Sequence, residues 1–321
     1  MEQLQIKNIT VIGTGVIGTG WIARFLAHGY HVVATDVAPD AEKRMNIALE
    51  RAWNSLEQQG IPEQASLDNV EFIKDLEDAV AHADFVQENV PERLELKRSV
   101  LQQVDHYAPE HTLIASSTSG FKPTNLQENC LKYPERVFVA HPFNPVYLLP
   151  LVEIVGGKKT SNKVLQRART FYEAVSMKPL LLTNEIEGHV ADRLMEALWR
   201  EALHLVNDGV ASTEEIDASI VYGAGMRWAL MGPFLTFHLA GGEGGMRHML
   251  EQFGPALKLP WTKLEAPELT ESLKERIIAG TEEQAEGVSI SELESRRDQF
   301  LIELQQLLEK YWPAAKVTGR L

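Results

Sequence analysis

His141 and Glu153 stand twelve residues apart in "HPFNPVYLLPLVEIV", joined by a proline-rich link between two short apolar runs. An imidazole takes up a proton most readily when a carboxylate fixes its tautomer and raises its basicity, so this pair on neighbouring strand ends makes a general base and its helper. A buried structural histidine is the alternative. Upstream, "ASSTSGF" sets Ser116, Ser117, Thr118 and Ser119 after another apolar run, where hydroxyls can bind a reacting oxygen.

A second group of residues suits a dinucleotide. "VIGTGVIGTG" carries Gly13, Gly15 and Gly18 in G-x-G-x-x-G spacing, and Asp36 follows 23 residues after Gly13. Gly13 permits the tight turn, Gly15 lets the backbone approach a pyrophosphate, and Gly18 lets helix and strand pack closely. The helix that opens there offers unpaired N–H groups to phosphate. Asp36 accepts hydrogen bonds from ribose hydroxyls and repels a 2′-phosphate, which selects NAD over NADP. A flavin, or a glycine turn with no ligand, stays open as the alternative.

A third group lies in "NEIEGHVADRLMEALW". Read as a helix, it aligns Asp192, Glu196 and Trp199 on one face. Like charges four apart weaken a helix by roughly 0.2–0.5 kcal/mol, so the face is either an indifferent wet surface or the seat of a cation.

The elements that must position these residues are legible from periodicity. "ITVIG" reads as a strand, "GWIARFLAHG" as a helix and "HVVATD" as a second strand, the signature of a right-handed parallel crossover. "VEFIKDL", "ADFVQENV", "HTLIASST", "RVFVAHP" and "LVEIVGG" supply further strands, with helices near 41–59 and 92–104. From Thr183 helical periodicity takes over, at 188–208, 213–221, 232–248 and 289–311, with Ser289 or Ser291 capping the last. The stretch 260–287, acidic and punctuated by proline, reads as a lid or a connection. The expected architecture is α/β: a doubly wound, mostly parallel Rossmann-type sheet over 1–183, followed by an all-helical domain over 184–321.

Composition narrows the partners. With 321 residues, 44% of them hydrophobic, the chain buries a substantial core. Its net charge of −14 argues against nucleic acid and anionic membranes, which require clustered Lys and Arg. Cys130 is the only cysteine, which excludes an intrachain disulfide and fits a reducing cytoplasm; no nucleophilic role is read for it. No secretory h-region and no membrane-length apolar run is present, and no metal is expected.

Five motifs in order, "VIGTGVIGTGWI", "ENVPERLELKR", "SSTSGF", "HPFNPVYLLPLVEIV" and "GHVADRL", resemble the 3-hydroxyacyl-CoA dehydrogenase family over about Ile9 to Phe234. The resemblance implies an NAD-binding N-terminal domain, a helical C-terminal domain that forms a homodimer, and hydride transfer between a 3-hydroxy acid derivative and its 3-keto form. It implies that His141 is the base, Glu153 its partner, and Ser119 the hydroxyl on the substrate oxygen. Glu92, Lys97 and Asn144 match cofactor-side positions.

Two departures bear on the substrate. The family motif has asparagine where this chain has Asp192. Between Arg51 and Lys74 there is no Lys or Arg, in the region where the acyl-CoA enzymes offer cations to the CoA phosphates. An anion beside a base that must be neutral is awkward unless the substrate brings a positive charge. The expected substrate is therefore a small zwitterionic 3-hydroxy acid with a quaternary ammonium. Trp199, Phe143, Tyr222, Trp228 and Phe234 are candidate aromatic walls, and Arg193 or Arg227 a partner for its carboxylate. A sugar acid, a short 3-hydroxyacyl-CoA, and a non-enzymatic crystallin-like role on the same scaffold remain alternatives.

Overall fold

The β-branched runs of the first half form one eight-stranded sheet. Its strands are β1 (Asn8–Ile12), β2 (His31–Thr35), β3 (Val70–Phe72), β4 (Phe85–Glu88), β5 (Leu113–Ser116), β6 (Val137–Pro142), β7 (Leu151–Gly156) and β8 (Lys178–Leu182), in the order β3-β2-β1-β4-β5-β6-β7-β8. All neighbours are parallel except β6 and β7. The computed structural model describes residues 6–229, 232–263, 268, 270–273, 275 and 288–311, so most of the 260–287 stretch lies outside the described residues.

Strand alternation divides the core between the two faces of the sheet. Ile9, Val11, Phe85 and Phe138 pack with Trp21, Phe25 and Phe171, while Ile12, Val86, Ile114 and Val139 pack with Leu101 and Val104. The helix Val16–Ala27 belongs to the first cluster and Leu94–Tyr107 to the second, so the sheet is covered on both sides as a parallel sheet requires. Each of the seven strand runs expected from periodicity is a strand. β8, "KPLLL", is not among them: it is short and opens Lys-Pro, and its place beside β7 is decided by pairing.

Two compact units result, Met1–Asp192 and Arg193–Leu321, with their border inside the helix Ala191–Asn207. The border falls beyond the expected 183 because residues 185–191 bond to the loops of the sheet. Glu185 accepts from the Thr124 N–H and hydroxyl, and the Gly188 N–H donates to Gly120 O at 3.3 Å.

The second unit is helical. Its described helices include Thr213–Ser219, closed by a capping box between Ser212 and Glu215, and Ile290–Tyr311, where Ser289 Oγ accepts from Glu292 N–H at 3.2 Å. The expected helix 232–248 is two helices, Pro233–Ala240 and Gly245–Phe253. Gly242 and Gly245 adopt positive φ, and the chain turns there at conformations that residues with a Cβ seldom take.

Candidate active site

The glycine loop is built around close contacts that forbid side chains at two positions and leave a third open. Gly13 has φ +84, and a Cβ on it would lie 2.7 Å from Asn89 O. A Cβ on Gly18 would lie 1.8 Å from Gly13 O. Nothing lies within 4 Å of where a Gly15 Cβ would be. Gly15 caps the helix Val16–Ala27, which has no side-chain cap and no acidic residue in its first turn, so its positive end is available to an anion. Asp36 follows the next strand and accepts from Thr14 N–H at 2.7 Å, Thr14 Oγ1 at 3.0 Å and Ala38 N–H at 2.8 Å. Burial pushes its carboxyl up, but these bonds and nearby Arg44 outweigh that and hold it below the usual carboxylate range. Beside it Val37 is 91% exposed, an apolar surface suited to a flat base. The open cradle at Gly15, the free helix end and the ionised Asp36 fit a dinucleotide.

His141 and Glu153 are brought together by strand register. β6 and β7 form the antiparallel pair of the sheet, and His141 lies directly opposite Glu153 in it. Residues opposite one another share a face with Cβ atoms about 4.5–5.5 Å apart. His141 Nδ1 lies 3.0 Å from Glu153 Oε2, and Glu153 is fully buried. The other carboxylate oxygen, Oε1, accepts from Val190 N–H at 2.9 Å and Ala191 N–H at 3.0 Å. Burial raises the Glu153 carboxyl, yet the His141 bond and the two backbone donors prevail and hold it below its ordinary value. An ionised carboxylate only accepts, so Nδ1 carries the hydrogen and Nε2 is the nitrogen left for chemistry. Nε2 lies 3.5 Å from Asp192 Oδ2, and Phe143 stands edge-on with ring centroids 5.1 Å apart.

The hydroxyl cluster is mostly spent inward. Ser116 Oγ donates to Glu88 Oε2 at 2.5 Å. Ser117 Oγ accepts from Gln87 and Trp21 and donates to Asn89 Oδ1 at 2.7 Å. Thr118 Oγ1 donates to Glu92. Ser119 is the exposed member, so the loop is anchored by three hydroxyls and offers the fourth. Glu92 also accepts from Gly120 N–H at 3.2 Å. Lys97, only 1% exposed, commits its ammonium to Glu88 at 2.9 Å, Val90 O at 2.9 Å and Glu92 at 3.4 Å. Lys97 therefore supports Glu92 from behind, and Glu92 is the half-exposed member. Asn144 is exposed in the link after β6.

Sequence reasoning missed His189. It is fully buried, adopts φ +45, and its ring lies 5.4 Å from that of His141. Its Nε2 donates to Thr118 O at 3.1 Å, and Nδ1 has no partner among the described residues. Burial pushes the imidazole's pKa down, and nearby His141 adds to that against the pull of the Thr118 bond and the two carboxylates. No periodicity singles it out; the left-handed backbone that puts it there belongs to the folded chain. Five consecutive residues, Gly188 to Asp192, thus reach both halves of the site.

The remaining candidates belong to the second unit. Glu196, exposed, pairs with Arg200 at 3.5 Å. Arg193 and Trp199 are exposed on the same helix, and Trp228 ends the short helix Gly225–Trp228, also exposed. Tyr222 and Phe234 are exposed as well, so among the described residues these aromatics form no core.

A glycine loop fit for a dinucleotide at the carboxyl end of β1, with a His–Glu pair in the same doubly wound sheet, is the arrangement of a dehydrogenase. The chain belongs to the 3-hydroxyacyl-CoA dehydrogenase family: residues 8–186 match its NAD binding domain and 188–283 its C-terminal domain. Among its relatives, the L-carnitine dehydrogenase of Bacillus cereus is 64% identical over 321 residues, covering 100% of this chain and 98% of the relative. The L-carnitine dehydrogenase of Oceanobacillus iheyensis is 63% identical over 308 residues, covering 96% of this chain and 100% of that one. Among solved structures, a 5-formyl-3-hydroxy-2-methylpyridine 4-carboxylic acid 5-dehydrogenase, an NAD⁺-dependent dismutase, superposes with a TM-score of 0.79 at 30% identity, over 95% of this chain and 99% of that one.

Proposed function

We propose that this chain oxidises the 3-hydroxyl of L-carnitine to 3-dehydrocarnitine. The observation that carries the reading is Asp192, a carboxylate at 3.5 Å from the reactive nitrogen of the base. A trimethylammonium group next to the reacting carbon is attracted by that charge, whereas a neutral or anionic 3-hydroxy acid gains nothing from it. The names of the relatives point the same way. The helix Ala41–Gln59 has no cation in its last turn, which disfavours a CoA ester, and a sugar acid has no positive group for Asp192.

His141 Nε2 takes the hydroxyl proton as the C3–H bond breaks and C3–O becomes a carbonyl. Glu153 stabilises the imidazolium that forms, and is itself held by Val190 and Ala191. Ser119 is assigned to the substrate oxygen. When bound, NAD⁺ would supply the acceptor for the hydride leaving C3; the loop of Gly13, Gly15 and Gly18, with Asp36, Glu92 and Asn144, would hold it. A cytoplasmic location belongs to this reading, supported by the single, buried cysteine. So does a homodimer through the helical unit, supported by large apolar side chains exposed there, among them Leu194, Trp199, Phe234 and Trp261.

The test follows NADH absorbance with L-carnitine, L-gulonate and 3-hydroxybutyryl-CoA in parallel. L-Carnitine is expected to be the preferred substrate by kcat/KM. Preference for either of the others overturns the substrate, and turnover of none despite NAD binding favours a structural role. In the same assay His141→Ala should lower kcat by roughly 10²–10⁴-fold, with NAD affinity nearly unchanged.

A further inference from the structure

Asp192 faces the nitrogen of His141 that must be empty for the reaction to begin. Nδ1 is committed to Glu153 at 3.0 Å, and Glu153 spends its second oxygen on Val190 and Ala191. Nε2 then meets Asp192 Oδ2 at 3.5 Å. If Nε2 bears its lone pair, that lone pair opposes a carboxylate; if it bears a hydrogen, the ring sits as a cation between two carboxylates. The second arrangement is attractive on both sides, and the first on one. A second histidine faces the pair: His189 donates its Nε2 hydrogen to Thr118 O, and burial lowers its pKa. Asp192 is 17% exposed and Glu153 fully buried, so solvent screens neither charge well.

We propose that Asp192 is a catch on His141 that the substrate's own cation releases: in the free site it holds a hydrogen on Nε2, and a quaternary ammonium drawn to the carboxylate frees that nitrogen to accept the hydroxyl proton. This rests on the carnitine reading and adds that the substrate's charge selects through the chemical step as well as through binding. A ligand shifts such an equilibrium only by its preference for one state, and an ammonium prefers the state in which Asp192 is not shared with an imidazolium. The hydrogen released from Nε2 leaves to solvent before the reaction, and the hydroxyl proton then takes its place. An uncharged 3-hydroxy acid of similar size can bind and still meet an occupied base.

The experiment divides the substrate into two pieces. The full chain with NAD⁺ is assayed on 3-hydroxybutyrate, with tetramethylammonium chloride or sodium chloride at equal ionic strength. The wild-type kcat is expected to rise about tenfold with tetramethylammonium and not with sodium. Asp192→Asn is expected to oxidise 3-hydroxybutyrate about tenfold faster than wild type, with no response to tetramethylammonium, and to lose kcat on L-carnitine relative to its gain on the cut-down acid. A readout independent of turnover is the ¹⁵N resonance of His141 Nε2. In the wild-type chain it should move toward the lone-pair position on adding tetramethylammonium, and Asp192→Asn should start there. Equal rates with both salts and an unmoved resonance overturn the catch even if L-carnitine is a good substrate. Should L-carnitine fail as a substrate, the functional reading falls and the resonance alone decides the catch.

Discussion

Glu153 ties His141 to the backbone. It accepts from an imidazole and two peptide N–H groups, and its carboxyl is held below the ordinary value although it is fully buried. A group with a depressed folded pKa contributes stability above its unfolded value, and that contribution is lost as pH falls through the folded value. Glu153→Gln should therefore cost about 2 kcal/mol at neutral pH and flatten the acid limb of stability between those two values, as urea titrations across pH would measure. It should also lower kcat by roughly 10²-fold or more, because a neutral amide neither fixes the tautomer nor stabilises the imidazolium. His141 and Glu153 are both legible from the sequence as a pair. Their contact with Asp192 is not, because that distance is set by where the chain turns at His189.

At the scale of elements, the glycine loop distinguishes positions that look alike in sequence. A methyl at Gly18 collides with Gly13 O, while a methyl at Gly15 meets open space. Gly18→Ala is expected to destabilise the fold by about 1–3 kcal/mol through overpacking. Gly15→Ala is expected to leave the melting temperature nearly unchanged and to weaken NAD binding, since its Cβ occupies the cradle. Calorimetry and fluorescence titration with NADH separate the two; equal loss of affinity and stability in both would remove Gly15 from the cofactor site. The strand-turn-helix pattern makes this loop readable because its signals are local. β8 and the break at Gly241 to Gly244 escape the sequence for the opposite reason: strand pairing decides one, and positive-φ glycines end what periodicity alone continues.

For the whole molecule, the two units differ in how completely they bury their apolar residues. The sheet unit encloses Trp21, Phe25, Phe85, Phe138 and Tyr172, whereas the helical unit exposes Phe234 at 80% and Trp261 at 71%. Large apolar side chains left in water are costly, and the proposed dimer would cover them. Light scattering is expected to give twice the monomer mass, and Phe234→Glu to shift the chain toward monomer. A monomeric wild-type chain would refute the dimer.

Local patterns determined the class of fold, the glycine loop, the carboxylate that follows the second strand and the pairing of a histidine with a glutamate, because each rests on residues near in sequence or on a single strand register. Tertiary structure decided which hydroxyl of "SSTS" remains outward, that Lys97 is buried behind Glu92, and that His189 and Asp192 flank His141. Those facts depend on loops from distant parts of the chain meeting at one edge of the sheet, where only the folded arrangement sets distances of a few ångströms between charges.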